Sequence, residues 1–186
     1  MRKNINLKIS IAVGALVLGV AAFPTAAFAV ADTGSTTVNV TVGSQITLGN
    51  GSTTVNINPT LGSTGTAVQT LTVTTNHAAG YTLSIQMNNA STSLMNGLDA
   101  ITATSNGSTP AALQNNTWGW NSSTSSSVAA ATFKTIPAQG SPANIASSVT
   151  TASAAPVYVT FGAQPTASLA SGTYTGSVLY TATTNP

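Results

Sequence analysis

The chain has 186 residues, of which only 3% are charged, and it contains no cysteine. The missing cysteine excludes a disulfide framework, a cysteine nucleophile, cysteine-ligated zinc and a lipid anchor on cysteine. The formal net charge of +2 includes only four basic residues, too few for the basic patch with which proteins bind nucleic acid or anionic membranes.

The N-terminal segment has the pattern of an export signal. An apolar run at residues 9–22 leads into a small-residue stretch that ends in Ala-Phe-Ala at 27–29. The run is shorter than the ~20 apolar residues that a membrane-spanning helix needs. A basic start, such a run and an Ala-x-Ala site are typical of a cleaved signal peptide, so we expect cleavage after Ala29. Cleavage after Ala31 and an uncleaved N-terminal anchor are the alternatives. The basic residues before the run are Arg2, Lys3 and Lys8.

Removal of a signal peptide at residues 1–29 would leave 157 residues, the length of one ordinary domain. That part holds one lysine against two aspartates, a net charge of −1. We therefore expect a single domain at residues 30–186 that is secreted or held at the cell surface. No apolar tail or basic stop follows the last predicted strand, so we expect any attachment to be non-covalent. We expect no nucleic-acid partner and, after cleavage, no membrane association.

Period-two alternation predicts β-strands along the exported part. Apolar residues alternate with Thr, Ser and Asn, many of them β-branched, which is typical of half-buried antiparallel strands. Clusters of Gly, Asn, Ser and Pro separate the strands as turns. The pattern predicts an all-β fold, an antiparallel two-sheet β-sandwich. The alternating segments are 37–42, 54–57, 70–74, 81–87, 157–161 and 173–182.

The middle of the chain, residues 88–155, is less regular. Its polar stretches at 106–116, 121–127 and 139–155 predict long loops. Short strands are expected near Ile101, Trp118 and Phe133, and a short helical turn is considered at 93–98.

The outward faces of the predicted strands carry Thr, Ser and Asn with almost no charge. Sheet edges are usually protected from pairing with other chains by Lys, Glu or Pro. The thin protection here favours self-association through strand edges, unless loops cover them. It suggests an alternative function, the structural subunit of a surface fibre, pilus-like polymer or array.

Groups for acid–base catalysis are few. The exported part offers Asp32, Asp99, His77 and Lys134 beside its tyrosines, and it has no Glu. A glycosidase needs two carboxylates flanking the scissile bond, and nothing resembles the nucleophile elbow of a serine hydrolase. One histidine cannot supply a zinc site, and no calcium-loop spacing is present. We therefore expect no enzymatic activity, no metal and no cofactor, with His77 in a hairpin connection.

Two indoles, Trp118 and Trp120, lie on one side of a predicted strand after Asn-Asn-Thr at 115–117. Exposed indoles beside amides and hydroxyls would suit a sugar, whose apolar face stacks on the ring. Buried indoles would instead contribute large area to the core. Both interpretations stay open at this point.

Two segments resemble WxL-domain surface proteins of Gram-positive bacteria. Leu-Thr-Val-Thr-Thr-Asn at 71–76, followed by Gly-Tyr-Thr-Leu at 80–83, resembles the first signature, in which Gly-Trp-x-Leu opens a strand. Residues 171–186 resemble the closing motif, a Gly-Thr-Tyr strand that runs into Trp-Thr-Leu and ends near a Pro. Tyr81 and Tyr180 occupy the Trp positions of these signatures, and Ala182 occupies a Leu position. The chain is also similar to small secreted β-sandwich proteins of candidate-phylum bacteria such as Saccharibacteria.

The resemblance implies a secreted bacterial surface protein that binds non-covalently to cell-wall glycan such as peptidoglycan, or to partner surface proteins. Such a role is structural or adhesive rather than enzymatic. The candidate ligand-binding aromatics are Trp118, Trp120, Tyr81 and Tyr180.

Overall fold

A computed structural model describes residues 37–125 and 130–186 of the chain. Within those ranges the protein is all-β, with nine strands in two sheets and no helix, so the expected fold class is confirmed at that level. All nine strands belong to one compact unit, residues 41–186. The predicted signal peptide at 1–29, the alternative site at Ala31 and Asp32 lie outside the described residues. No helix found in the described ranges is suited to crossing a membrane.

The larger sheet has the strand order β1-β2-β8-β6-β5-β4, and the smaller sheet the order β7-β3-β9. Neighbouring strands pair antiparallel with one exception, because β5 and β6 run parallel. The expectation of a purely antiparallel fold is wrong for this pair. A parallel pair needs a crossover of a dozen or more residues, which the connection at 104–116 provides. The strands are β1 (Ile46–Asn50), β2 (Gly65–Thr75), β3 (Tyr81–Met87), β4 (Leu94–Asn96), β5 (Asp99–Ala103), β6 (Thr117–Ser123), β7 (Ala143–Ser148), β8 (Ala152–Gln164) and β9 (Val178–Thr184).

The alternation predicts the central strands well. The segment predicted at 81–87 is β3, whose residues alternate between buried and half-buried, and β2 and β8 contain the segments at 70–74 and 157–161. The segment at 173–182 is a strand only from Val178 onward. Residues 37–42 and 54–57 are not part of any strand.

Residues 93–98 do not form the helical turn considered from the sequence. They contain β4, which pairs with β5 so that Leu94 lies opposite Ile101. Gly97 turns the hairpin with a φ of 63°, a left-handed conformation that glycine adopts without steric cost. The pairing of two apolar residues across the hairpin outweighs the weak local preference for a helix.

One buried cluster contains side chains from both sheets. The smaller sheet contributes the inward residues of β3, and the larger sheet contributes β2, β6 and β8. Each fully buried aliphatic or aromatic side chain stabilises the fold by roughly 1.5–3 kcal/mol. The central members are Leu71, Val73, Leu83, Ile85, Met87, Trp118, Trp120, Val157, Val159 and Phe161.

Candidate functional site

A cleft of about 910 Å³ lies at the end of the larger sheet where β2 begins and β8 ends. We call it the sheet-end cleft. The connecting segments 50–59 and 165–177 form its walls, and two residues of β9, Val178 and Tyr180, also line it. Its floor consists of side chains from four strands of the larger sheet: Leu94, Ile101, Trp118, Phe161 and Ala163.

The polar groups of the sheet-end cleft are amides and hydroxyls. None of the described residues that line it is Asp, Glu, Lys, Arg or His. A site without an ionic partner cannot offset the desolvation of a charged ligand, so it suits an uncharged one. The amide side chains are Asn50, Asn56, Asn58 and Gln69, and the hydroxyl side chains include Ser52, Thr53, Thr54, Ser171, Thr173 and Thr175.

Gln69 is the most informative of these groups. It lies on the same face of β2 as Leu71 and Val73, where the alternation calls for an apolar residue, and it is only 3% exposed. Its side-chain N–H groups donate to Oδ1 of Asn50 and, at 3.3 Å, to the backbone oxygen of Thr70. A buried amide is an exception to the apolar pattern on this face of β2, and such exceptions are often found at functional sites.

Asn116 holds the wall segment at 165–169 in place. Its Oδ1 accepts hydrogen bonds from the backbone N–H of Thr166 at 2.8 Å and from the Thr166 hydroxyl at 2.9 Å. Its Nδ2 donates to the hydroxyl oxygen of Ser168 at 2.9 Å. Asn116 has a φ of 57°, a left-handed conformation that asparagine tolerates better than most residues. The wall is therefore tied to the residue that precedes β6.

The Gly-Thr-Tyr-Thr-Gly segment at 172–176 continues the same wall. Thr175 exchanges two backbone hydrogen bonds of 2.9 Å with Met95 of β4, and the Tyr174 hydroxyl donates to the backbone oxygen of Ala170 at 2.9 Å. A Cβ at Gly176 would lie 2.7 Å from Cδ2 of Leu94. The wall therefore packs directly on the Leu94 side chain of β4.

Of the four predicted aromatic residues, Trp118 and Tyr180 line the sheet-end cleft together. Trp118 is 2% exposed, its indole N–H donates to the backbone oxygen of Thr92 at 2.9 Å, and its ring centre lies 6.2 Å from that of Phe161. The ring is thus part of the core at the floor of the cleft and has no open face for stacking. Tyr180 is half-buried on β9.

Trp120 is 1% exposed and lines a different cavity of about 630 Å³. Its indole N–H donates to the backbone oxygen of Thr135 at 3.0 Å, and Nζ of Lys134 lies 5.2 Å from its ring centre. The core-packing interpretation describes the position of both indoles. Each N–H has found a carbonyl acceptor, which removes the main cost of burying tryptophan.

Tyr81 lines neither cavity. It is 3% exposed at the start of β3 and pairs with Thr184 of β9. Burial raises the pKa of both Tyr81 and Tyr180 above the ordinary value of 10.0, because a phenolate would lose its hydration.

The two segments that carry the WxL resemblance lie side by side. Strands β3 and β9 pair along their full length, and Asn185 closes the end of the pair. Its Nδ2 donates to the backbone oxygens of Ala79 and Ser148, both at 2.7 Å, and its Oδ1 accepts from the Thr82 hydroxyl at 2.8 Å.

The candidate acid–base groups lie on separate elements. His77 is in the connection between β2 and β3, but the expected hairpin is wrong, because these two strands belong to different sheets; the side chain is half-buried. Asp99 is exposed at the start of β5, and Lys134 lies beside Trp120. Across residues 37–125 and 130–186, no three His, Cys, Asp or Glu side chains come together in a way that could hold a metal ion.

Comparison with known proteins gives no family assignment. No protein-family model matches the chain, and no curated protein matches it either.

Proposed function

We propose that this protein is an exported, non-enzymatic bacterial surface protein that binds an uncharged cell-wall glycan, non-covalently, in the sheet-end cleft. The observation that carries the proposal is the lining of the cleft. Amides and hydroxyls surround an apolar, partly aromatic floor, and no acidic or basic side chain is among the lining residues described.

The chemistry of a sugar ring fits this lining. Its hydroxyl groups exchange hydrogen bonds with water for hydrogen bonds with amides such as Gln69 and Asn50, and its C–H face covers apolar surface. Ligand sites commonly occupy roughly 300–1,000 Å³ and combine an apolar lining with a few placed polar groups. The volume of about 910 Å³ lies within that range.

We further infer that the two sheets stack face to face as a β-sandwich. Support comes from the single buried cluster to which Leu71 and Val157 of one sheet and Leu83 and Ile85 of the other belong. In that arrangement the sheet-end cleft is the part of the larger sheet's inner face that the connecting segments cover. The WxL resemblance agrees with this location, since its closing motif supplies Tyr174 and Tyr180 to the lining.

The test is sedimentation of the chain from Val30 to Pro186 with purified cell walls. We expect the protein to pellet with walls, and a soluble neutral oligosaccharide released from those walls to compete. The variant Gln69→Leu removes the buried amide and is expected to lower wall binding at least tenfold. Gln139→Leu is the matched control, because Gln139 is an exposed glutamine outside the cleft.

Two results would contradict the proposal. One is sedimentation with walls no greater than that of an unrelated soluble protein. The other is equal binding by Gln69→Leu and the unsubstituted chain, which would place any wall contact outside the cleft.

A further inference from the structure

Strand β9 lies at the edge of the smaller sheet. Among the described strands it pairs with β3 alone. On either side of the strand, the backbone N–H of Asn185 donates to the backbone oxygen of Gly80, and the backbone oxygen of Ser177 accepts from the N–H of Asn88. The odd-numbered residues of β9 therefore direct their backbone N–H and C=O groups towards β3. The backbone groups of the even-numbered residues therefore point to the open edge. These residues are Val178, Tyr180, Ala182 and Thr184.

Apolar side chains are incompletely covered along this edge. On β3 the inward residues are fully buried, but on β9 the inward residues Val178, Tyr180 and Ala182 are only half-buried. Strand β1 of the larger sheet contacts β9, and its own inward residues Ile46 and Leu48 are half-buried as well. An additional strand beside β9 would remove this surface from water.

The chain also carries a segment that has the pattern of a strand but pairs with none of the described strands; its last residue, Gly43, accepts a hydrogen bond at its backbone oxygen from Nδ2 of Asn76 at 2.8 Å. Residues 37–43 read Thr-Val-Asn-Val-Thr-Val-Gly, and no strand is formed there. Val38, Val40 and Val42 are 80%, 81% and 78% exposed. Single exposed apolar residues are ordinary, but three β-branched residues in strict alternation form one continuous apolar stripe once the segment is extended.

We propose that residues 37–43 of one copy add as a β-strand to the free edge of β9 in a second copy. An antiparallel pairing offset by one residue from full overlap places the three valines opposite Val178, Tyr180 and Ala182, on the same side of the sheet. Neither segment contains a charge that would oppose pairing. Backbone hydrogen bonds supply the affinity and the alternate side chains fix the register, as in other cases of strand addition.

Such an interface joins different surfaces of the two copies. Each copy has one donor segment and one acceptor edge, so the contact is head-to-tail and continues from copy to copy unless it closes into a ring. The inference goes beyond glycan binding, because it adds a route by which the surface protein forms a polymer.

The test measures molar mass by light scattering and sedimentation velocity on the chain from Val30 to Pro186, which contains all nine described strands. Val40→Asp disables the donor. Ala182→Pro disables the acceptor, because it removes an outward N–H without removing a hydrogen bond to β3. Val149→Asp is the matched control, since Val149 is 82% exposed outside both segments.

We expect the unsubstituted chain and Val149→Asp to gain mass with concentration, and both Val40→Asp and Ala182→Pro to stay monomeric. An equimolar mixture of these two variants is expected to form a one-to-one dimer that grows no further. If Ala182→Pro fails to fold by circular dichroism, Leu179→Lys replaces it as an edge-blocking variant.

Three results would overturn the proposal. They are a monomeric unsubstituted chain at every concentration, assembly of Val40→Asp equal to that of the unsubstituted chain, and a mixture of the two variants that stays monomeric. Because a polymer sediments by itself, the wall-binding assay is repeated with Val40→Asp. Wall binding without assembly, or assembly without wall binding, then separates the two proposals.

Discussion

Gly119 of β6 and Gly162 of β8 lie directly opposite each other, and together they make room for the ring of Phe133. A Cβ at Gly162 would collide with the Phe133 ring, and one at Gly119 would lie 2.6 Å from the backbone oxygen of Lys134. Phe133 is fully buried, on the face of the larger sheet opposite to Trp120 and Phe161. The paired glycines allow the Phe133 side chain to pack on this second face.

The first prediction concerns this contact. Gly162→Ala is expected to lower the free energy of unfolding by about 1–3 kcal/mol, because the ring has to move out of a closely packed site. Urea unfolding monitored by tryptophan fluorescence measures the change. Gly43→Ala is the control, since nothing lies within 4 Å of a Cβ built there, and it is expected to have almost no effect. Equal stability of Gly162→Ala and the unsubstituted chain would mean that the Phe133 side chain is not held in this slot.

Only part of the fold can be predicted from the sequence. Strand β3 could be predicted because Tyr81 to Met87 alternate strictly and contain β-branched and aromatic residues. Strands β1 and β7 are not predicted, because Ile-Thr-Leu-Gly-Asn is too short for a clear alternation and Ala-Asn-Ile-Ala-Ser-Ser is poor in strand-forming residues. Both strands depend on pairing, β1 with β2 and β7 with β3. The parallel pairing of β5 with β6 depends on the course of the connection between them, which carries no periodic signal.

A second prediction separates the two roles of Asn116. Asn116→Gly keeps the left-handed backbone but loses the bonds to Thr166 and Ser168, and we expect it to cost about 1 kcal/mol of stability. Asn116→Ala also introduces backbone strain and is expected to cost about 1 kcal/mol more. Both variants are expected to weaken wall binding, because the segment at 165–169 is a wall of the sheet-end cleft. If glycine and alanine variants were equally stable, strain at this position would play no part.

A third prediction concerns stability at alkaline pH. Burial raises the pKa of Tyr180 and of Tyr81 above 10.0 in the folded protein. Above about pH 10 the unfolded chain therefore loses phenolic protons that the folded chain keeps, and stability falls by up to about 1.4 kcal/mol per pH unit for each group. Below about pH 10 both phenols keep their protons in the folded and in the unfolded chain, so this loss of stability does not occur there.

The measurement for this prediction is the urea midpoint at about pH 8 and about pH 11, with phenolate absorbance recorded in the folded state. Tyr180→Phe is expected to reduce the loss between the two pH values, and Tyr81→Phe to reduce it in the same direction. A variant with both Tyr180→Phe and Tyr81→Phe is the decisive one. If it loses as much stability as the unsubstituted chain, the alkaline effect belongs to other groups.

The candidate site was only partly predictable. Trp118 and Tyr180 were identified from the sequence and do line the sheet-end cleft, but Trp120 and Tyr81 lie elsewhere. Sequence alone could not decide whether the indoles are buried, because that depends on carbonyl acceptors supplied by Thr92 and Thr135 from distant segments. Gln69 did leave a signal, since it interrupts an apolar alternation that continues at Leu71.

The last prediction uses that interruption to distinguish function from stability. Gln69→Leu replaces a buried amide by an apolar side chain of similar size, and its partner Asn50 is exposed, so water can satisfy the freed oxygen. We therefore expect the free energy of unfolding to stay constant or to rise by up to about 1 kcal/mol, while wall binding falls. Gln69→Glu is expected to destabilise the protein at neutral pH, because a carboxylate at this position loses its hydration. A loss of more than about 2 kcal/mol in Gln69→Leu would instead show that the amide is a structural group, comparable to a core side chain. Opposite changes in stability and binding are what a polar residue retained for a ligand produces, because the fold alone would favour leucine there.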